Sequence, residues 1–538
     1  MLSVNLSPNM SGSIINDSKE TYFKTDDNQV GEVENIGESP VVLERRFNLL
    51  SAIATGIVTG NTWTALGGAI VASLYNGGPP GIIYEFIAVS IFYWLIAASI
   101  AELASAIPAS GGVYHWAAAT AGKKYGIACS WFAGWLNFFA WTFGISANCS
   151  IIGQIIVYSY QMFHPNVESQ RWQVFIVYLI ICWTCCSIVM FATWALPTIN
   201  RMGGFLILGG WFVTVLVCAI MPSQNGSGYA SNNFVWSEWQ NDTGYSSNGF
   251  VFLAGMLNGA FAVGTPDCVT HMAEEIPDAG KNLPKVLFWQ VLVGFITAIC
   301  YMISMFYSIN NLNVIFTADS LCPLGDIYLQ STGSRGGALG LLIVIAMPIF
   351  CATVGCYITA GRTLYVLARD NAAPFPSFIG AVNPRFKSPL WATFACGCIS
   401  TCMGAVYVGS LAAFNAFVGS FVLLTTASFL LAIGPHLLNK RKAITPGWFW
   451  LGKYGYVINI ISCLYIVAFF VIYCFPYALP TSAQEMNYTS VITCGLALLV
   501  SIWWFVHGRT NFKGPTFVNV DETDLSPYYL KTGTVVSI

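Results

Sequence analysis

The stretch GAFAVGTPDCVTHMAEEIPD, Gly259 to Asp278, puts Gly264, Thr265, Pro266 and Asp267 in the middle of an apolar segment, with Glu274 and Glu275 following. Glycine and proline in a helix that crosses lipid release backbone groups that lipid cannot satisfy, so such a break must face protein or a watery cavity. Freed amides, freed carbonyls and a helix-dipole end can hold a polar solute away from bulk water. A second interruption, Gly56-Ile57-Val58-Thr59-Gly60-Asn61, lies near the middle of an earlier apolar segment. A single such site reads equally well as a plain kink; two at matching positions favour a ligand role.

The candidate solute-binding residues are therefore Gly56, Thr59, Gly60, Asn61, Trp63, Phe261, Gly264 and Thr265. A carboxylate-bearing solute would use the amides at Thr59, Gly60 and Asn61. A quaternary ammonium has no N–H to donate and would be held by aromatic faces, for which Trp63 and Phe261, beside the breaks, stand out from Trp135, Phe138, Trp141 and Tyr357. Asp267 could pair with a cation, take up a proton or cap the restarted half-helix. Glu102, near one end of the second apolar segment, is a candidate for proton coupling, gating or loop anchoring. Glu274 and Glu275 are candidates for an ion-pair gate with Lys281, Lys285, Arg362 or Arg369, or for a solvated loop end. There is no catalytic constellation: His115, His164, His271, His436 and His507 are scattered.

The elements that must position these groups follow from composition. Of 538 residues, 56% are hydrophobic and 9% charged, with a mean hydropathy of +0.64, far from soluble domains. Windows long enough to cross a bilayer fall near 49–75, 80–104, 126–158, 172–193, 198–221, 248–272, 286–309, 336–366, 389–408, 411–435, 455–477 and 488–507, which predicts an all-α integral membrane protein of 12 transmembrane helices. The third and eighth windows are overlong and imply tilt or extension into water. Breaks in spans one and six are what a five-plus-five inverted repeat gives. Residues 1–43 read as a disordered cytosolic tail without a cleavable signal, 44–510 as the twelve-helix domain and 511–538 as a cytosolic tail.

With both termini cytosolic, the inner loops collect Lys123, Lys124, Arg201, Lys281, Lys285, Arg362, Arg369, Arg385, Lys387, Lys440, Arg441, Lys442 and Lys453, and the outer ones only Arg171 and Arg335. The same topology places the sequons at Asn225, Asn241 and Asn487 outside, as candidate glycosylation sites. Most of the 17 cysteines sit in apolar segments and imply neither disulfides nor a metal site. The net charge of −2 suggests no nucleic-acid partner. The faces Ala98-x-x-x-Glu102 and Gly255-x-x-x-Gly259-x-x-x-x-Gly264 allow close helix approach.

The runs ASIAELASAIPASGGVYHWA (98 to 119), DCVTHMAEEIPDAGKNLPK (267 to 285) and GRTLYVLARDNAAPFPSFIGAVNPRFKSP (361 to 389) resemble signature stretches of the amino acid-polyamine-organocation superfamily, above all the fungal amino acid/choline permeases. The resemblance covers roughly residues 44 to 510. It implies a secondary transporter without cofactor, monomeric or weakly oligomeric, in the plasma membrane, with a small nitrogenous solute of choline, amino acid or 4-aminobutyrate type held between the interrupted first and sixth helices, and with proton symport as the usual coupling. An exporter of a basic metabolite by antiport and a non-transporting sensor with a transporter body are the alternatives. The short tails favour transport over sensing. A channel would show a filter-like repeat, which the sequence lacks.

Overall fold

The computed structural model describes residues 48–70, 76–311, 315, 321–409, 412–482 and 486–515, together with three short strands nearer the N-terminus. Those strands, β1 (Gly12–Asp17), β2 (Glu20–Thr25) and β3 (Val30–Gly31), form an antiparallel sheet with Gly12 opposite Thr25 and Phe23 opposite Gly31. They belong to a first unit, Met1–Glu44; the helices belong to a second, Arg45–Ile538. Residues 516–538 of the expected C-terminal tail lie outside the described residues.

The helical unit opens with α1 (Leu49–Gly60), started by a reciprocal cap between Asn48 and Ser51. After Asn61 the chain restarts as α2 (Thr62–Gly68). Then follow α3 (Gly78–Ala106), α4 (Val113–Phe163), α5 (Arg171–Phe191), α6 (Leu196–Gln224), α7 (Asn248–Val263), α8 (Ala279–Tyr307), α9 (Arg335–Arg369), α10 (Leu390–Gly409), α11 (Ala412–Leu438), α12 (Tyr454–Ile472) and α13 (Thr489–Trp503). Among the described residues ten helices are long and apolar enough to cross a membrane. The first and sixth windows give shorter pieces instead: α1 with α2, and α7 followed by a 3-10 turn at Thr270–Glu275.

The helix of the third window begins well before that window and contains a turn. Gly122, at φ 69° and ψ −175°, turns the chain, so α4 is two helices joined end to end. Such a φ is open to glycine without strain. The eighth, α9, runs unbroken for 35 residues with Pro348 inside it.

Burial separates the helices. The best apolar window of α4 is 94% buried, whereas those of α6 and α13 are 22% and 17% buried. Helix α4 therefore forms the centre, packed against α9 and α11. In the outer helices apolar side chains such as Phe205, Phe212, Leu498 and Phe505 are exposed, as a lipid-facing surface requires.

Where helices cross closely, small residues permit it. A Cβ added to Gly259 of α7 would stand 2.6 Å from Val89 Cγ1 and 3.3 Å from Phe86 Cα of α3. Gly340, on the exposed face of α9, meets nothing within 4 Å. Gly259→Val should therefore destabilise the protein by about 1–3 kcal/mol through overpacking, lowering its unfolding midpoint in detergent. Gly340→Ala should stay within about 0.5 kcal/mol of wild type. Equal midpoints for the two variants would mean that the α3–α7 seam tolerates side chains.

Candidate functional site

The break between α1 and α2 is a single residue. Asn61 sits at φ 52° and ψ 27°, a left-handed conformation that asparagine tolerates better than most residues. Its N–H still donates to Ile57 O (2.9 Å), and its carbonyl accepts from Ala65 N (2.8 Å) and Thr64 Oγ1 (3.1 Å). Buried Thr59 Oγ1 and Asn61 Oδ1 have no partner among the described residues. Glycine at 56 and 60 lets α8 come close: a Cβ would stand 3.2 Å from Gln290 Oε1 at Gly56 and 3.0 Å from Gln290 Nε2 at Gly60.

In the sixth window α7 ends at Val263, and Pro266, lacking an N–H, separates it from tighter turns. Cys268 N bonds to Thr265 O at 3.3 Å and Thr270 N to Asp267 O at 3.0 Å, both three-residue steps. The carbonyl of Thr265 accepts a 2.8 Å bond from Gln290 Nε2, which also lies 3.3 Å from Thr265 Oγ1. A Cβ on Gly56 would approach Val269 Cγ2 to 3.2 Å. One glutamine of α8 thus bridges α1 and the interrupted segment. Gln290 was not singled out in the sequence, where nothing separates it from any other polar residue of an apolar helix.

Asp267 is fully buried and lies between α7 and the 3-10 turn rather than on a helical half, because Thr270 N takes its carbonyl at a three-residue step. Its carboxylate meets side chains. Oδ2 accepts from Asn137 Nδ2 (2.8 Å) and Trp141 Nε1 (3.3 Å) of α4, and lies 3.2 Å from His271 Nε2. Oδ1 has no partner among the described residues. Asn137 Nδ2 also reaches Ser428 Oγ of α11 at 3.3 Å. On the far side of the imidazole, Nδ1 faces Thr363 Oγ1 of α9 at 3.2 Å, and that hydroxyl lies 2.8 Å from Thr359 O.

This arrangement can accommodate a proton. With His271 neutral and its Nε2–H donating to Asp267, the Thr363 hydroxyl donates to Nδ1. With His271 doubly protonated, Nδ1–H donates to Thr363 Oγ1 while the hydroxyl turns to Thr359 O. Rotation of one hydroxyl satisfies either state. The Asp267-x-x-x-His271 spacing was visible in the sequence; the scatter of the five histidines concealed it.

Aromatic rings close the same region. Phe261 packs edge-on against Phe421 of α11 at 5.5 Å, and Phe421 against Trp141 at 5.7 Å. A Cβ on Gly264 would stand 3.1 Å from the Phe421 ring. Trp63 is elsewhere: its indole donates to Ile207 O of α6 (3.0 Å) and its ring lies 5.1 Å from Tyr301. Tyr357 is turned to Cys182 Sγ, and Trp135 packs on Phe138 and Phe139.

The remaining acidic candidates lie at one end of the bundle. Glu275 pairs with Arg362 of α9 at 2.8 Å, both sides nearly buried. The backbone amide of half-buried Glu274 donates to Ser110 Oγ at 3.2 Å. Glu102 contacts the Arg441 guanidinium, with His436 Nε2 at 3.7 Å. Arg441 itself lies over the Trp450 ring at 4.5 Å and donates to Gly452 O. The sequons separate likewise. Asn225 is exposed and Asn241 half-buried, whereas Asn487 is 1% exposed and its amide donates to Tyr473 O and Phe475 O, each at 2.8 Å.

The amino acid permease family profile matches residues 47–498. The chain is 29% identical over 487 residues to the choline transporter of Saccharomyces cerevisiae, covering 90% of this chain and 84% of that protein. It is 26% identical over 477 residues to the swainsonine transporter swnT of Arthroderma benhamiae, covering 88% and 93%. It is 25% identical over 483 residues to the amino-acid permease BAT1 of Arabidopsis thaliana, covering 87% and 91%. With ten helices able to cross a membrane and a family match across most of its length, the chain belongs to the amino acid permease family and is a multi-pass membrane transporter rather than an enzyme.

Proposed function

We propose that this protein is a secondary carrier that moves a small nitrogenous solute of choline, amino acid or 4-aminobutyrate type by alternating access, coupled to protons. The observation that carries this reading is the fully buried Asp267, placed in the interruption after α7, bonded to Asn137, Trp141 and His271 and left with one open oxygen. A cationic group of the solute would approach that oxygen, with Phe261, Phe421 and Trp141 offering aromatic faces. Thr59 Oγ1 and Asn61 Oδ1, buried and open, would serve its other polar end.

In this reading the chain spans the bilayer twelve times, ten times as continuous helices and twice as the broken pairs, arranged as a five-plus-five inverted repeat. Both termini would be cytosolic at the plasma membrane, the basic loops facing inward. Glu275–Arg362 and Glu102–Arg441 would then act as inner latches. Each joins elements that must separate for the inner side to open, and a pair released into water loses little because exposed ion pairs contribute little. Asn225 and Asn241 would be glycosylated outside; buried Asn487 is the least accessible of the three.

Uptake of labelled choline, 4-aminobutyrate and amino acids into permease-deficient cells, with and without a protonophore, tests the reading. Accumulation of one of them that collapses with the protonophore is expected; uptake indifferent to the protonophore would remove the proton. Asp267→Asn should reach the surface normally yet lower accumulation at least about tenfold, the size of one lost 1.4 kcal/mol interaction. Wild-type accumulation by that variant would take Asp267 out of the mechanism. Phe261→Ala should weaken apparent affinity for a cationic solute by roughly 2- to 30-fold, matching about 0.5–2 kcal/mol for a cation over a ring; an unchanged affinity counts against an aromatic site there. Endoglycosidase treatment should shift the gel mobility of wild type, and less so after Asn225→Gln; identical shifts would exclude Asn225 as an acceptor.

A further inference from the structure

Glu85 is the one acidic side chain in α3 besides Glu102, and its setting differs from every carboxylate described above. It is 1% exposed, and neither carboxyl oxygen has a hydrogen-bond partner among the described residues. Among the described residues no cationic side chain pairs with it. The carboxyl lies directly on Gly255 of α7: a Cβ at that position would run into all three of its terminal atoms. One turn further along, the seam closes on Gly259, held against Val89 and Phe86. The small-residue face of α7 is therefore the floor on which an acid rests.

Packing alone does not call for an acid here. A methionine or leucine would fill the same space with nothing to desolvate, whereas an ionised carboxylate taken out of water without a partner loses several kcal/mol. With the seam closed, the group is therefore a neutral acid. Among the described residues the titratable groups on the surrounding elements offer it no counter-charge: Lys285 of α8 stands beside Ala98 and Ala101, toward the other end of α3. Helix α7 and the short helix Asn232–Trp236 carry none. Tyr301 and Tyr307 of α8 are bonded to Tyr328 and Asn232. Tyr473, past the end of α12, is in electrostatic range and is itself 3.2 Å from the Tyr465 hydroxyl, with Tyr93 nearby. Gly255 stands eight residues before the end of α7 at Val263, roughly 12 Å along the helix. Any tilt of α7 about its break moves the floor under Glu85.

We propose that Glu85 is a second proton-binding site, separate from Asp267, which holds its proton while α3 is closed on Gly255 and releases it when this seam opens to water. The proton passes from the carboxyl oxygen to an entering water, leaving a hydrated carboxylate; reclosure requires that it be taken up again. The inference rests on the proton-coupled reading above, and makes the seam between α3 and α7 the element that the proton controls.

The test uses the full chain in cells and in proteoliposomes. Glu85→Gln fixes a neutral side chain of the same shape. It should lower pH-driven accumulation at least about tenfold and flatten the rate between about pH 5 and pH 8, while exchange of internal for external solute, which needs no proton release, persists. A wild-type pH profile in this variant, or loss of exchange together with accumulation, overturns the proposal, the second by assigning Glu85 a structural role. Independently of any variant, dicyclohexylcarbodiimide, an apolar reagent for protonated carboxyls, should modify Glu85 in the wild-type protein, as read by peptide mass spectrometry, with reaction falling as pH rises. No modification across that range also overturns it. If wild-type uptake ignores a protonophore while Glu85 reacts, the coupled-transport reading fails and the proton site stands.

Discussion

A backbone group freed inside a membrane has to find a partner within the protein, and this constraint organises the centre of the molecule. Helix α7 stops at Val263, and the carbonyl of Thr265 is then bonded by Gln290 from α8. The same side chain fills the space left by Gly56 and Gly60 on α1. Breaking the helix is thus possible because a third helix brings an amide to it, and the glycines of the first are what allow the approach. Loss of any of the three would leave a polar group stranded.

Charge obeys the same rule with larger stakes. Asp267 is ringed by Asn137, Trp141 and His271; Glu275 has Arg362 and Glu102 has Arg441. Apart from His271, four residues on from Asp267, every partner comes from a segment far away in sequence, so the acids act as cross-links between elements that a moving carrier would have to re-sort. The buried ion pairs sit towards one end of the bundle, while Asp267 occupies its centre without a full complement of partners. That incompleteness is what makes it the natural place for an exchangeable charge.

The segments and their breaks were legible from composition and from two residue types. Apolar windows located every long helix, since length and hydropathy report directly on what a bilayer accepts. Gly264-Thr265-Pro266 marked the end of α7, because proline removes a donor wherever it falls. The break in the first window was narrower than its glycines implied, a single left-handed Asn61, while Gly56 and Gly60 served approach rather than interruption. Ahead of the third window a turn at Gly122 joins a further helix, Val113 onward, to the spanning one, which hydropathy does not register.

By itself the sequence determined the class of the protein, the windows of its helices, the acids worth noting and the family to which it belongs, since these depend on local chemistry summed along the chain. Only tertiary structure decided what each polar side chain meets. It took Trp63 away to Ile207 and Tyr301, drew His271 and Asn137 to Asp267, and set Gln290 between two breaks. In a bundle whose helices are all apolar, neighbours are chosen by the fit of small residues against large ones across long sequence separations, and no period within one helix records that choice.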